Sequence, residues 1–425
     1  MVLARHGRDA GSMTSTQPPQ ETSPPSTPPG PTESAPPGPS TGRLVGIDLA
    51  RALAVFGMYT VHVGPELSAT HGVGSWIRYL VDGRSSILFA TLAGFSLVLI
   101  AGRRQPKTGR TGRQAKARIA IRALVLIALG TVMTMFYGDV VILAFYGVYF
   151  LAALPLAKYS AKTLAIIASA LALITPQLAF VLRSLLSEPV RHAIDAYDPL
   201  EKLSSVGVLD LLLTGMYPTI TWLPFIIAGM ALARLDLSVP AVQARVAVLG
   251  ATLTLLGYGL SRLFGGPDAL ASTAESGPPP GAGGKMPPGA GSEALFPQGS
   301  ASSLLLAGPH SGTTFDIVGS GGFAILVIVA ATAAMARLPR LRRLATPIIA
   351  VGTMSLTAYV GHFVAMSVFA LAPNGSGGPP QPSWTPLLLL ILGVTVFATI
   401  WSRFFRRGPL EYLLNAATKP AKYIR

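Results

Sequence analysis

Cysteine is absent from this 425-residue chain. That excludes disulfides, thiolate nucleophiles and cysteine-ligated metal centres. Charge is scarce too. Only 12% of the residues are Asp, Glu, Lys or Arg, where a soluble domain carries about a quarter. Acidic side chains are the rarer kind, 18 against 33 Lys and Arg, which leaves a net charge of +15. No phosphate-binding Gly-Lys loop and no HExxH metal motif occurs, and no G-x-S-x-G elbow surrounds the serines of GRSSIL or HSG. No metal site is expected.

What fills the chain instead is apolar. Half of the residues are hydrophobic and the mean hydropathy is +0.53. Apolar runs of about 18 residues or more recur, each long enough to cross a bilayer. In lipid the backbone must satisfy its own polar groups within a segment, so such runs become helices, and they lack the alternation of barrel strands. The expected fold is an all-α, polytopic membrane protein with ten transmembrane helices near 44–64, 85–101, 119–136, 140–157, 162–182, 209–233, 242–263, 315–336, 346–371 and 384–404.

Residues 1–42 form a Pro/Ser/Thr tract too poor in apolar groups to bury a core and read as a disordered tail. Residues 43–415 form the membrane domain, with a low-complexity insertion at 271–300 and a basic tail at 416–425. In a soluble protein the basic balance would point to nucleic acid. Here the positives cluster in short connections, so topology accounts for them and no nucleic-acid partner is expected. The connection RRQPKTGRTGRQAKAR (103–118) should be cytoplasmic. Counting ten spans from it puts Arg43, Lys158, Lys162, Arg234, the run 337–343 and the tail on the same side. This predicts a multi-pass protein of the cell membrane with both termini cytoplasmic and membrane lipid as its surroundings.

The first span, IDLARALAVFGMYTVHVGP, carries three groups that lipid penalises: Asp48, Arg51 and His62. At about 100° and 1.5 Å per residue they share one face, yet Asp48 and His62 stand roughly 21 Å apart along the axis. Asp48 and Arg51, at i and i+3, sit at the cytoplasmic end and neutralise each other. His62 sits at the outer end. By the same topology His71, His310 and His362 also lie outside or in the outer half. Asp82, opening the second span, suits a helix N-terminus and could orient a general-base histidine such as His71. Gly94 permits close helix packing. Thr313 and Asp316 have the spacing of a capping box. Pro218 and Pro224 predict a break or kink in the sixth span. On the residues alone, each of these polar groups also has a purely structural reading as a cap, a helix bridge or a solvated loop residue.

Asp48, Arg51 three residues on and His62 resemble the opening helix of membrane acyltransferases that modify sugars. The loop that follows, together with DGRSSILFATLAGFS, resembles the catalytic region of heparan-alpha-glucosaminide N-acetyltransferases. YPTITWLPFIIAGMALAR, HSGTTFDIVGSGGFA, VGTMSLTAYVGH and RGPLEYLL resemble the YeiB-like bacterial membrane proteins. The likeness covers most of residues 43–415. In those enzymes a loop histidine between the first two spans is catalytic, and an asparagine ends the first span. By position His71 matches that histidine and His62 replaces the asparagine.

The resemblance therefore implies His71, His62 or both as the base, with Asp82 orienting it. It implies Asp48, Arg51, Arg84, His310 and His362 as substrate-binding candidates. The expected co-substrate is acetyl-CoA or another acyl-CoA, with no bound cofactor, and the acceptor is an extracytoplasmic glycan or glycolipid. Two other classes remain open: a transporter or flippase for a small or lipid-linked solute, using broken spans, and a non-catalytic envelope scaffold.

Overall fold

A computed structural model describes residues 44–271, 300–371 and 382–424; the tail 1–42 and residues 272–299 of the insertion lie outside the described residues. Among the described residues every regular element is helical. Chain order runs α1 (Val45–His62), α2 (Val73–Val81), α3 (Arg84–Ala101), α4 (Gly109–Tyr137), α5 (Leu143–Ala153), α6 (Ala161–Leu185), α7 (Glu188–Tyr197), α8 (Pro199–Ser204), α9 (Thr219–Arg234) and α10 (Pro240–Gly265). It continues with α11 (Thr314–Arg337), α12 (Pro339–Leu344), α13 (Thr346–Thr353), α14 (Ser355–Leu371), α15 (Trp384–Phe404) and α16 (Pro409–Ala417).

Each of the ten apolar runs contains a helix. Length and apolarity support fewer crossings than ten. Six helices qualify: α3, α4, α6, α10, α11 and α15. The α13–α14 pair, which meets at 88°, makes a seventh if it is one broken span. The apolar helix Leu143–Lys158, which is α5 with its 3-10 extension, and α9 are shorter. α1 holds Asp48 and Arg51 within its 18 residues. α3 lies at the centre, 72% of its span buried inside the protein, while α15 is at the rim with 11%. The sixth run does not form one helix. Pro218 has no amide hydrogen to continue a ladder, so Asp210–Thr214 make one π-helical turn and α9 starts at Thr219, with Pro224 inside it.

α3 and α9 cross with backbones in contact. A Cβ at Gly94 would lie 1.9 Å from the Ile226 carbonyl oxygen, and one at Gly229 would lie 1.8 Å from that of Thr91. Small residues at a crossing let apolar helices gain dispersion energy that larger side chains would block. The ninth run breaks for a different reason. Glu411 of α16 accepts the amides of Leu356 (2.7 Å) and Thr357 (3.2 Å) and the Thr357 hydroxyl (2.6 Å). It thus satisfies donors that the start of α14 would otherwise leave open.

Between α7 and α9 an acidic group forms at the surface. Asp198 accepts the amides of Leu200 (2.8 Å) and Val208 (2.5 Å), and Asp210 accepts the Thr214 hydroxyl (2.6 Å). Glu201 sits among them with Oε2 buried and without a donor. Burial first, then the charges of Asp210, Asp195 and Asp198, push its carboxyl up to about 7. A carboxyl raised on folding stabilises the native state less as pH climbs from the ordinary Glu range through 7. Glu201→Gln should therefore melt about 1–2 °C above wild type at pH 8 and level with it at pH 4; an equal shift at both pH values in a melting series would assign the effect to packing.

Candidate functional site

His62 ends α1, and its Nδ1 lies 2.9 Å from Nε2 of His362 on α14. Their rings are near-parallel at 22°, with centroids 5.1 Å apart. Nδ1 of His362 meets the carbonyl oxygen of Tyr359 one turn earlier. A carbonyl only accepts, so that nitrogen carries the hydrogen and Nε2 of neutral His362 carries a lone pair. His62 must then donate from Nδ1, which leaves its Nε2 with a lone pair and no hydrogen-bond partner among the described residues. The two rings form a directed chain that ends in one basic nitrogen. Tyr59 fixes the helices on either side, its hydroxyl donating to the Ala358 carbonyl at 2.7 Å. His362 is buried, packed at 4.0 Å between centroids against Phe363, so its ring cannot swing away.

His310 approaches the same end of the bundle from the turn before α11. Its backbone is left-handed, with φ 63°, an uncommon state for a side chain other than glycine. The ring stacks on Trp222 (5.9 Å, 20°) and meets Tyr217 edge-on (5.4 Å). Its Nδ1 is buried without a hydrogen-bond partner. Burial holds the imidazolium below its usual range, and the carboxylate of Asp82 acts against that. The Asp82–Gly83 hinge between α2 and α3 is pressed against this turn: a Cβ on Gly83 would lie 2.9 Å from that of Pro309. Gly83, not Asp82, caps α3; Asp82 caps the end of α2. Arg78 and His310 both act electrostatically on His62, which joins the two histidine groups into one cluster at this end of the bundle.

Behind it lies a buried polar chain. Arg84 donates from Nε to the Tyr258 hydroxyl (2.8 Å) and from Nη1 to the Tyr79 carbonyl (2.5 Å), with both rings 4.7 Å from the guanidinium. Tyr258 contacts Ser320 (2.8 Å), whose hydroxyl donates to Asp316 (2.7 Å). Asp316 in turn takes the Gly312 amide at 3.2 Å and gives its own amide to Thr313 at 3.1 Å, the expected cap. This chain anchors the His310 turn to α3, α10 and α11.

At the other end of α1, Arg51 donates from Nη1 to Asp48 (2.8 Å) and from Nη2 to Ser96 (2.7 Å). The candidates thus divide. His62, His362, His310 and Asp82 gather at one end. Arg84 braces them from behind. Asp48 and Arg51 pair at the opposite end. His71 is brought to neither group; it is exposed, on the turn before α2. Sequence reasoning missed the roles of Tyr258, Ser320 and Trp222, which carry no charge, and of Arg78. No group of three or more His, Asp or Glu suited to a metal ion occurs among the described residues.

Two family models match the chain. Residues 43–257, half of it, match the model described as heparan-alpha-glucosaminide N-acetyltransferase, catalytic, and residues 299–420 match a protein of unknown function, DUF418. No curated protein matches. The two matches divide the histidine cluster between them: His62, Arg78 and Asp82 fall in the first, His310 and His362 in the second.

Proposed function

From a chain that belongs to the heparan-alpha-glucosaminide N-acetyltransferase catalytic family, we propose an integral membrane enzyme that moves an acetyl group from cytoplasmic acetyl-CoA to an extracytoplasmic sugar or glycolipid. Membership gives transmembrane acyltransferase chemistry; donor, acceptor and base are our reading. The observation that carries it is the Tyr359–His362–His62 chain, which leaves His62 Nε2 as an oriented base. A base held by a second group and backed by a third is the arrangement that activates hydroxyls and amines for attack on acyl carbons. In this reading His62 takes the proton of the acceptor as its oxygen or nitrogen bonds the thioester carbonyl carbon. The C–S bond breaks, and the proton passes to the sulfur of CoA. His310 and Asp82 orient the acceptor. The basic connection 103–118 holds the phosphates of the donor at the cytoplasmic mouth.

The proposed topology has ten spans with both ends of the chain in the cytoplasm. It counts α1, α5 and α9 as crossings, shielded from lipid by the six longer helices and the α13–α14 pair. A transporter would use the 88° break at Met354 as an ion or solute site. Glu411 already occupies the helix start there, which favours the enzyme. Protein in lipid vesicles, given acetyl-labelled acetyl-CoA and extracted cell-envelope glycolipid and glycan, should release CoA and label the acceptor. Wild type that binds and consumes no acyl-CoA would overturn the reading.

A further inference from the structure

α2 is amphipathic in the reverse sense to a soluble helix. Ser75, Arg78, Tyr79 and Asp82, at i, i+3, i+4 and i+7, share one face. That face looks into the outer cluster: Arg78 donates to the Pro65 carbonyl (3.3 Å), and the Tyr79 carbonyl and ring hold Arg84. Val73, Trp76, Ile77 and Leu80 have the same spacing on the other face, and they are 43–74% exposed. An outward apolar face with a tryptophan, on a nine-residue helix beside a membrane bundle, suits a position in the membrane interface. The ring of Trp384, which opens the rim helix α15, sits against Gly74 and marks the same level. Inside this wall two polar atoms lack hydrogen-bond partners, Nη1 of Arg78 and Nδ1 of His310. Arg78 Nη1 forms an ion pair with Asp82 Oδ1 at 3.6 Å, too long for a hydrogen bond, so its donor stays unused. A guanidinium paired with Asp82 but keeping one unused donor therefore stands behind the apolar face of α2 and acts electrostatically on His62.

We propose that the acceptor is lipid-anchored and carries a phosphate: it enters from the outer leaflet alongside the apolar face of α2, and Arg78 binds its phosphate so that the sugar beyond reaches His62. This rests on the outer cluster being the acyl-transfer site. The unused donor of Arg78 Nη1, which a phosphate oxygen fills better than the Asp82 carboxylate at 3.6 Å, selects an anionic head, and the exposed apolar face selects a lipid tail over a soluble glycan.

The test uses full-length protein in phosphatidylcholine vesicles with a photoreactive polyisoprenyl monophosphate as the probe. Cross-linking should saturate and fall about tenfold in affinity in Arg78→Gln, since one charge-assisted contact is lost. Arg78→Lys should recover part of it, which separates charge from the tie to Pro65. Water-soluble glucose 1-phosphate should not displace the probe. In parallel, lipid brominated near the glycerol should quench the fluorescence that Trp76→Phe removes. Displacement by glucose 1-phosphate at comparable concentration would overturn the lipid route. Labelling indifferent to Arg78→Gln would overturn the phosphate contact. An unquenched Trp76 would take the α2 face out of the membrane and give it to a protein partner. Cross-linking needs no turnover, so protein that labels but never transfers acetyl defeats the acyltransferase reading, while one that acetylates a soluble glycan without labelling defeats this proposal alone.

Discussion

His62→Ala should lower acetyl transfer by about 10²- to 10⁴-fold, the range expected for loss of a positioned general base, in protein that still elutes as a single species and melts close to wild type. His62 ends its helix and is only partly buried, so its removal opens little void. His362→Gln separates base from support. A glutamine carbonyl can still accept from Nδ1 of His62, but it cannot share a developing imidazolium charge as a second ring does. Its rate should fall less than that of His62→Ala, and the acid limb of its pH profile should move. His71→Ala supplies the contrast. The ring is exposed and apart from the cluster, so a change within about twofold is expected, as for a surface substitution. Single-turnover rates for the three variants decide the matter. A His71→Ala collapse beside an active His62→Ala would move the base to the loop.

That contrast shows where sequence alone stops. Helix positions were legible because lipid forces apolar runs into helices: α10, α11 and α15 begin and end within two residues of expectation. The number of crossings was not, since α1, α5 and α9 are short or polar enough to depend on their neighbours for shelter. The break at Met354 was hidden as well. No proline marks it; Glu411, more than fifty residues later, supplies the cap. α2 could have been read from Val73, Trp76, Ile77 and Leu80, whose spacing is helical, but nine residues fall below the length of a span.

In the site, the gathering of His62, His310 and His362 at one end of the bundle was expected from the counting of spans. The pairing of two rings 300 positions apart did not, because which helices touch is a property of packing. Spacing put Asp82 within reach of the His71 loop. The fold instead turns that loop outward and brings the residue 310 turn against Gly83.

The second large effect belongs to the opposite end of α1. Asp48→Ala should destabilise the protein by about 3 kcal/mol, because it leaves the Arg51 guanidinium inside the bundle with Ser96 as its one remaining partner among the described residues. The Asp48 and Arg51 side chains are 9% and 20% exposed, so water relieves little of that charge. Asp48→Leu combined with Arg51→Leu removes both charges at once. It should recover most of the loss, since replacing a buried pair by apolar groups is often neutral. Melting in detergent measures both steps.

The rescued double variant also answers a question about function. Arg51 commits Nη1 to Asp48 and Nη2 to Ser96, which ties α1 to α3. That geometry makes it a brace between helices, and in the proposed function the donor's phosphates fall to the basic connection 103–118 at the cytoplasmic mouth. The KM for acetyl-CoA should accordingly stay within about twofold of wild type, well short of the tenfold that 1.4 kcal/mol of lost binding produces. A tenfold rise at unchanged kcat would place Arg51 on the donor instead, and would make the face that carries Arg51 and His62 a substrate path along the whole of α1.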